Sequence, residues 1–286
     1  MPNHVRNIIR IETETDRIKE ILAAIQDDGL GPGTIDFNKL VPMPASLEIE
    51  KGSRTDRSIK LYLTAINPAV PYFGAPEDKV SAEEFERIRG LFNKSKWNHF
   101  GTAMTADEVA KELDLMKKYK EPTDNLFGLA KQALGNIEQY GHMDWYDWSC
   151  EHWGTKWNAY DCHYDGQNEL SFSTAWSAAS PILQQLSAKF PDLTFVHLWA
   201  DEDYGCNLGR SEYLGGELID EYLPSQCSEE AYGMASDIWS VSYTHLDVYK
   251  RQGKEGEIPE HLRDYYSFYG EEIENGALDF GEDLER

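Results

Sequence analysis

Between Trp145 and Trp176 five of the chain's eight tryptophans fall within 32 residues, and among them Trp153, Lys156, Trp157, Asn158 and Asp161 gather two indoles, a cation, an amide and a carboxylate. A tryptophan ring needs burial and its indole N–H needs a partner, so such a run marks either the densest core or a wall on which a flat ligand stacks. In the second case a base lies on an indole, Asn158 and Asp161 read its edge, and Lys156 meets a phosphate or carboxylate. In the first, the rings fill the interior, Asn158 or Asp161 caps a turn, and Lys156 pairs with a neighbour. Both readings stay open at this level.

Two further groups bear on that choice. Trp176 ends an alternating segment and adds a ring, while Asp201, Glu202 and Asp203 follow an apolar run. Carboxylates at such a place supply a general base, bind a cation or stand in a solvated loop. An Asp201 or Asp203 turned toward Lys156 would complete the polar heart of a pocket. His142, Cys150, His152, Cys162 and His163 offer enough nitrogen and sulfur for zinc, but their spacing matches no zinc signature, and adjacent Cys162 and His163 on a strand would face opposite ways. No GxGxxG, GxxxxGK[ST], HExxH or GxSxG occurs, so no metal, cofactor or catalytic residue is assigned.

Composition narrows the partners. A formal charge of −24 over 286 residues repels phosphate and anionic lipid, which disfavours general nucleic-acid or membrane binding. No apolar run reaches membrane-spanning length and the first residues lack the plan of a signal peptide, so a soluble, cytoplasmic protein is expected. The four cysteines form no CxxC pair and read as reduced thiols. Residues 253–286 hold eleven acidic against three basic side chains, a solubilising surface or a mimic of DNA aimed at a basic partner.

The elements that must position these groups follow from periodicity. Residues 4–14 predict a strand with Val5, Ile9 and Ile11 on one face, then a helix capped by Asp16 and carrying Ile18, Ile21, Leu22 and Ile25. Ile35–Val41 reads as a second strand stopped by Pro42 and Pro44, and Ser53–Ile66 as a helix. Ser81 and Thr105 are helix caps, and Leu126–Tyr140 has a helical apolar face. Leu170–Trp176 predicts a strand with Leu170, Phe172 and Trp176 inward. Ser180-Pro181 opens a helix that Pro191 closes, Leu193–Ala200 is a central strand, and residues 212–222 an edge hairpin.

Two strand-helix-strand units sharing one sheet predict an α+β, ferredoxin-like sandwich: an antiparallel sheet with helices on one face and a helical insertion. The expected organisation is a first half of the core at 1–76, the insertion at 77–141, a second half with the tryptophan motif at 142–225, and a C-terminal helix and acidic tail at 226–286. Within that tail, residues 241–252 (VSYTHLDVYKRQ) resemble a peptide recurring in metagenomic translations as read-through of sequencing-adapter DNA, so His245, Lys250 and Arg251 receive no function.

The start MPNHV, the segment DFNKLVPMP at 36–44, WGTKWNAYD at 153–161, SFSTAWS at 171–177 and ADEDYG at 200–205 together resemble the YubB-type family. The likeness implies an origin on phages or conjugative plasmids and a ferredoxin-like domain, but no reaction.

The function expected is that of a non-catalytic binding protein of a mobile element, capturing a small nucleotide-like ligand or a host protein, with counter-defence as the use it suggests. Two alternatives stand beside it. One is an enzyme acting on a nucleotide or nucleic acid through Lys156, Asp161 and Asp201 to Asp203. The other is an acidic DNA mimic that inhibits a basic host protein.

Overall fold

Apolar residues alternating along β1 (His4–Ile11) bury Val5, Ile9 and Ile11 on one face, with Asn7 buried among them. In the computed structural model residues 3–94 and 103–239 are described. After β1 come α1 (Thr15–Ile25), α2 (Ser53–Ile66), α3 (Ala82–Phe92), α4 (Ala106–Tyr119), α5 (Thr123–Tyr140) and α6 (Trp145–His152). The chain continues through β2 (Tyr160–Tyr164), β3 (Glu169–Ala175), α7 (Ser180–Lys189), β4 (Thr194–Asp201), β5 (Leu208–Leu214), β6 (Glu217–Tyr222) and α8 (Glu229–Trp239). It divides into two compact units, the first from residues 1–36 and 158–286, the second from 37–157.

The first unit holds one antiparallel sheet in the order β2-β3-β1-β4-β5-β6. Its first four strands, with α1 after β1 and α7 after β3, form the β-α-β-β-α-β plan of a ferredoxin-like fold, and β5 and β6 extend it as an edge hairpin. Register places Val5, Asn7, Ile9 and Ile11 beside Asp201, Trp199, His197 and Phe195, so these residues share a face. On that face Phe190, just past α7, meets Phe195 at 6.5 Å between ring centroids, and Arg17 of α1 lies 5.5 Å over Phe190. Each fully buried Ile, Leu or Phe here contributes roughly 1.5–3 kcal/mol. The opposite face is also used: α8 packs Ala231, Ala235 and Ile238 onto Ala200 and Leu208, with Ile8 and Leu198 against them.

A polar chain runs through the sheet's interior. His197 is fully buried and its Nε2–H donates to Asn7 Oδ1 (2.9 Å), while Asn7 Nδ2 donates to Val5 O (3.0 Å) and Thr174 Oγ1 (2.8 Å). Burial holds the His197 imidazole down to a pKa of about 3, so the ring is neutral.

The second unit is helical. On one side of α2, Ile59, Leu63 and Ile66 pack with Phe85, Ile88 and Phe92 of α3 and Ala133 and Ile137 of α5. Leu61 forms another cluster with Val109 and Met116 of α4 and Leu126 of α5. Ser81 and Thr105 cap as the sequence suggested: Ser81 Oγ accepts from Glu84 N, and Thr105 forms a capping box with Glu108. Gly74 has a φ of +84° and a Cβ there would sit 2.4 Å from Ala65 O, so only glycine fits.

Four expectations are corrected. Residues 35–41 form no strand: the amides of Leu40 and Val41 both turn back to Phe37 O (3.1 and 2.8 Å), closing a 3-10 turn, and β2 takes the missing place after residue 157. The excursion from the ferredoxin core therefore spans 37–157, wider than the 77–141 that helical patterning marked. Trp176 lies beyond the end of β3 with φ of +72° and is 42% exposed, because the left-handed residue breaks the alternation that would turn it inward. The first helix begins at Thr15 with Glu14 at its cap position, and Asp16 lies in its first turn. Residues 241–252 lie outside the described residues.

Candidate functional site

The tryptophan block is built by α6 and the turn after it. Asp144 starts the helix, its Oδ1 accepting from Tyr146 N (3.0 Å). Trp148 and His152, one turn apart, stack at 4.4 Å between centroids. Trp153 then goes inward: it is 4% exposed, its indole N–H donates to Val41 O (2.9 Å), and its ring meets Phe37 and Trp148 edge-on. Gly154, at φ of +76°, reverses the chain, and the Ser149 hydroxyl donates to Lys156 O (2.5 Å) to hold the returning strand of the turn.

That reversal leaves Trp157 half-buried, with the Lys156 ammonium 4.4 Å from its ring centroid. The same ammonium is 5.9 Å from the Tyr146 ring, and Lys51, arriving from just before α2, is 5.4 Å from it. Lys51 Nζ lies 3.4 Å from Asp144 Oδ2 and 3.8 Å from Asp147 Oδ2. Although Asp144 is fully buried, neither its Oδ2 nor Lys51 Nζ has a hydrogen-bond partner of good geometry among the described residues. Burial pushes the Asp144 carboxyl above its ordinary range, with Lys51 pulling it back. Burial, then Asp147, also raises the Cys150 thiol above its ordinary range.

Two cations, two aromatic rings and a buried carboxylate thus meet in the second unit. Arranged so, they can take an anionic group against the lysines and a flat ring against Tyr146 or Trp157. Lys51, Asp144 and Tyr146 were not nominated by the sequence. Asp144 preceding an apolar helix carries a cap signal, but nothing in the chain's order announces its contact with Lys51.

The remaining nominated residues belong to the first unit. Asn158 Nδ2 donates to Asp36 Oδ1 (2.7 Å), joining the points where the chain leaves that unit and returns to it. Asp161 is exposed at φ of +49°, and its carbonyl accepts from Arg6 (3.5 Å). Asp201 is buried and occupied: Oδ1 accepts from Asn3 Nδ2 (3.2 Å) and Asp203 N (2.8 Å), and Oδ2 from Asn207 Nδ2 (2.8 Å). It staples the turn between β4 and β5, while the Asp203 side chain is exposed. The exposed Trp176 gives its carbonyl to Asn207 Nδ2 (3.1 Å). Of the set considered for zinc, His142 lies 3.4 Å from Glu151 and edge-on to His152. Among the described residues no three His, Cys, Asp or Glu side chains converge as a metal-ligand set.

Comparison with known families agrees with the sheet. Residues 156–242 match a family model described as a ferredoxin-like domain in Api92-like protein. The match spans β2 to α8, three of the four core strands, and the α+β, ferredoxin-like class is thereby shown. A crystal structure of protein Api92 from Yersinia pseudotuberculosis is similar over 79% of this chain and 99% of its own, at 11% identity and a TM-score of 0.33. No curated protein matches. No helix among the described residues is long and apolar enough to cross a membrane.

Proposed function

We propose that this is a cytoplasmic, non-catalytic binding protein of a phage or plasmid, and that its second unit captures a small nucleotide-like anion at Lys51, Tyr146, Lys156 and Trp157. The observation that carries this reading is the Lys156 ammonium resting on the half-buried Trp157 ring, with a second lysine, Lys51, over the shared Tyr146 ring, its buried Nζ lacking a well-aligned acceptor among the described residues. A cation on an indole at a partly exposed site is worth about 0.5–1 kcal/mol, whereas stacking a base on an aromatic ring is worth about 1–3 kcal/mol. A ligand that brings both a ring and a phosphate or carboxylate therefore gains by displacing the ammonium from Trp157 and engaging it through the anion. The motifs resembling the YubB-type family support the mobile-element origin. A general-base role for Asp201 draws no support, since three donors already occupy its oxygens.

Tryptophan fluorescence titrated with a panel of nucleoside mono- and diphosphates tests the proposal. Quenching is expected in the parent protein, lost in Trp157→Ala, and weakened about tenfold in Lys156→Gln, a change of about 1.4 kcal/mol. A flat response across the panel, or quenching that survives Trp157→Ala, would overturn the small-ligand reading and leave capture of a host protein to be pursued.

A further inference from the structure

Cys206 and Cys227 are 21 positions apart in sequence, yet their Sγ atoms lie 3.7 Å from each other. Cys206 sits in the turn after β4 and Cys227 just before α8. The backbone brings them together: Cys227 N donates to Gly205 O (2.9 Å), and Cys206 N to Asp203 O (3.0 Å). Gly205 has a φ of +84°, and a Cβ there would fall 2.5 Å from the Tyr232 ring of α8, so the turn and the helix start are packed at closest approach. Cys227 is exposed, so a small reagent can reach it, and Cys206 is half-buried behind it. A disulfide requires the sulfurs to close to about 2.05 Å, a movement that side-chain rotation can supply where the backbones are already bonded.

We infer that Cys206 and Cys227 are a reversible thiol pair, oxidised by low-molecular-weight disulfides, whose bond clamps the start of α8 to the turn between β4 and β5. In the first step the Cys227 thiolate attacks one sulfur of oxidised glutathione, forming a mixed disulfide and releasing one glutathione thiolate. Cys206 then gives up its proton, and its thiolate attacks Cys227 Sγ. The protein disulfide forms, the second glutathione leaves, and the released proton goes to a departing thiolate. Two protein thiols are oxidised and one glutathione disulfide is reduced. The consequence follows from what α8 covers. With its first turn clamped, the helix is held on Ala200, Leu208, Leu198 and Ile8; with the thiols reduced, packing and the hydrogen bonds from Cys227 N to Gly205 O and from the Trp239 indole N–H to Asp201 O (3.2 Å) hold it.

The test uses the full chain, incubated with oxidised glutathione and then with dithiothreitol. Peptide mapping is expected to show a Cys206–Cys227 link after oxidation, with the protein lighter by two hydrogens, and its loss on reduction. Hydrogen exchange in α8 should slow at least severalfold in the oxidised form. Cys227→Ser should end unlinked, whereas Cys206→Ser should retain one glutathione on Cys227, because no second thiol resolves it. A mixed disulfide that persists on the parent protein, a link through Cys150 or Cys162 instead, or α8 exchange unchanged by the bond would overturn the inference.

Discussion

The two units treat their buried carboxylates differently. In the first, the buried Asp201 carboxylate takes donors from Asn3, Asp203 and Asn207, and Asn7 joins His197 to Val5 and Thr174, with the other ring nitrogen of His197 lacking a hydrogen-bond partner among the described residues. In the second, a fully buried carboxylate and a buried ammonium face each other at 3.4 Å without a well-aligned hydrogen bond, beside two aromatic rings. A satisfied network rigidifies and specifies a fold, whereas a half-satisfied charge pair costs stability and is kept where it does something else. By this measure the α6 turn is a better candidate for binding than the Asp201 turn.

The largest effect expected tests the charge pair. Lys51→Met leaves Asp144 buried and uncompensated and should cost about 3–5 kcal/mol in chemical denaturation. The double variant Lys51→Met/Asp144→Leu should recover most of that loss, retaining mainly the missing helix cap at about 1 kcal/mol. If the double variant is as unstable as the single one, the pair is structural in the same sense as the sheet network, and the contrast between the units fails.

Next comes the sheet network. His197→Leu strands Asn7 Oδ1 and should cost about 1–3 kcal/mol near neutral pH. Its pH dependence has a definite sign. With the folded pKa held down to about 3, the unfolded chain binds the proton first as pH falls below about 6.5, so stability is lost progressively from there toward pH 3. At Asp144 burial raises the carboxyl instead, so the cost of its charge grows as pH rises through its folded pKa and is relieved in acid. Denaturation midpoints of the parent and His197→Leu should therefore converge on acidification, and parallel curves would remove His197 as the cause.

The smallest stability effect distinguishes two tryptophans four positions apart. Trp153→Phe should cost about 1–2 kcal/mol, because Val41 O loses its donor, while Trp157→Ala should cost about 1 kcal/mol or less. Equal losses would place Trp157 in the core and weaken its assignment as a ligand wall.

Much of the framework was legible beforehand because it depends on local physics. Ser81 and Thr105 bond amides three residues away, the α7 stripe follows Ser180-Pro181, and β4 is apolar on both faces because α7 packs on one side of it and α8 on the other. Where the local signal was weak, tertiary context prevailed. Ile35–Val41 has the composition of a strand, but the main chain turns at Phe37 and gives the sheet position to β2. The candidate site was half visible: Lys156 and Trp157 were nominated by type and spacing, but so was Trp153, which the Gly154 reversal sends the opposite way.

By itself the chain's order determined the periodic elements, the caps, the alternating strands and the acidic balance, since each depends on residues within a few positions or on a simple count. Only the tertiary structure decided which indole is interior, that Asp201 is a staple, that Lys51 meets Asp144, and that Cys206 lies beside Cys227. Those are contacts between distant segments, and their geometry follows from how helices and strands pack, which neighbouring residues do not encode.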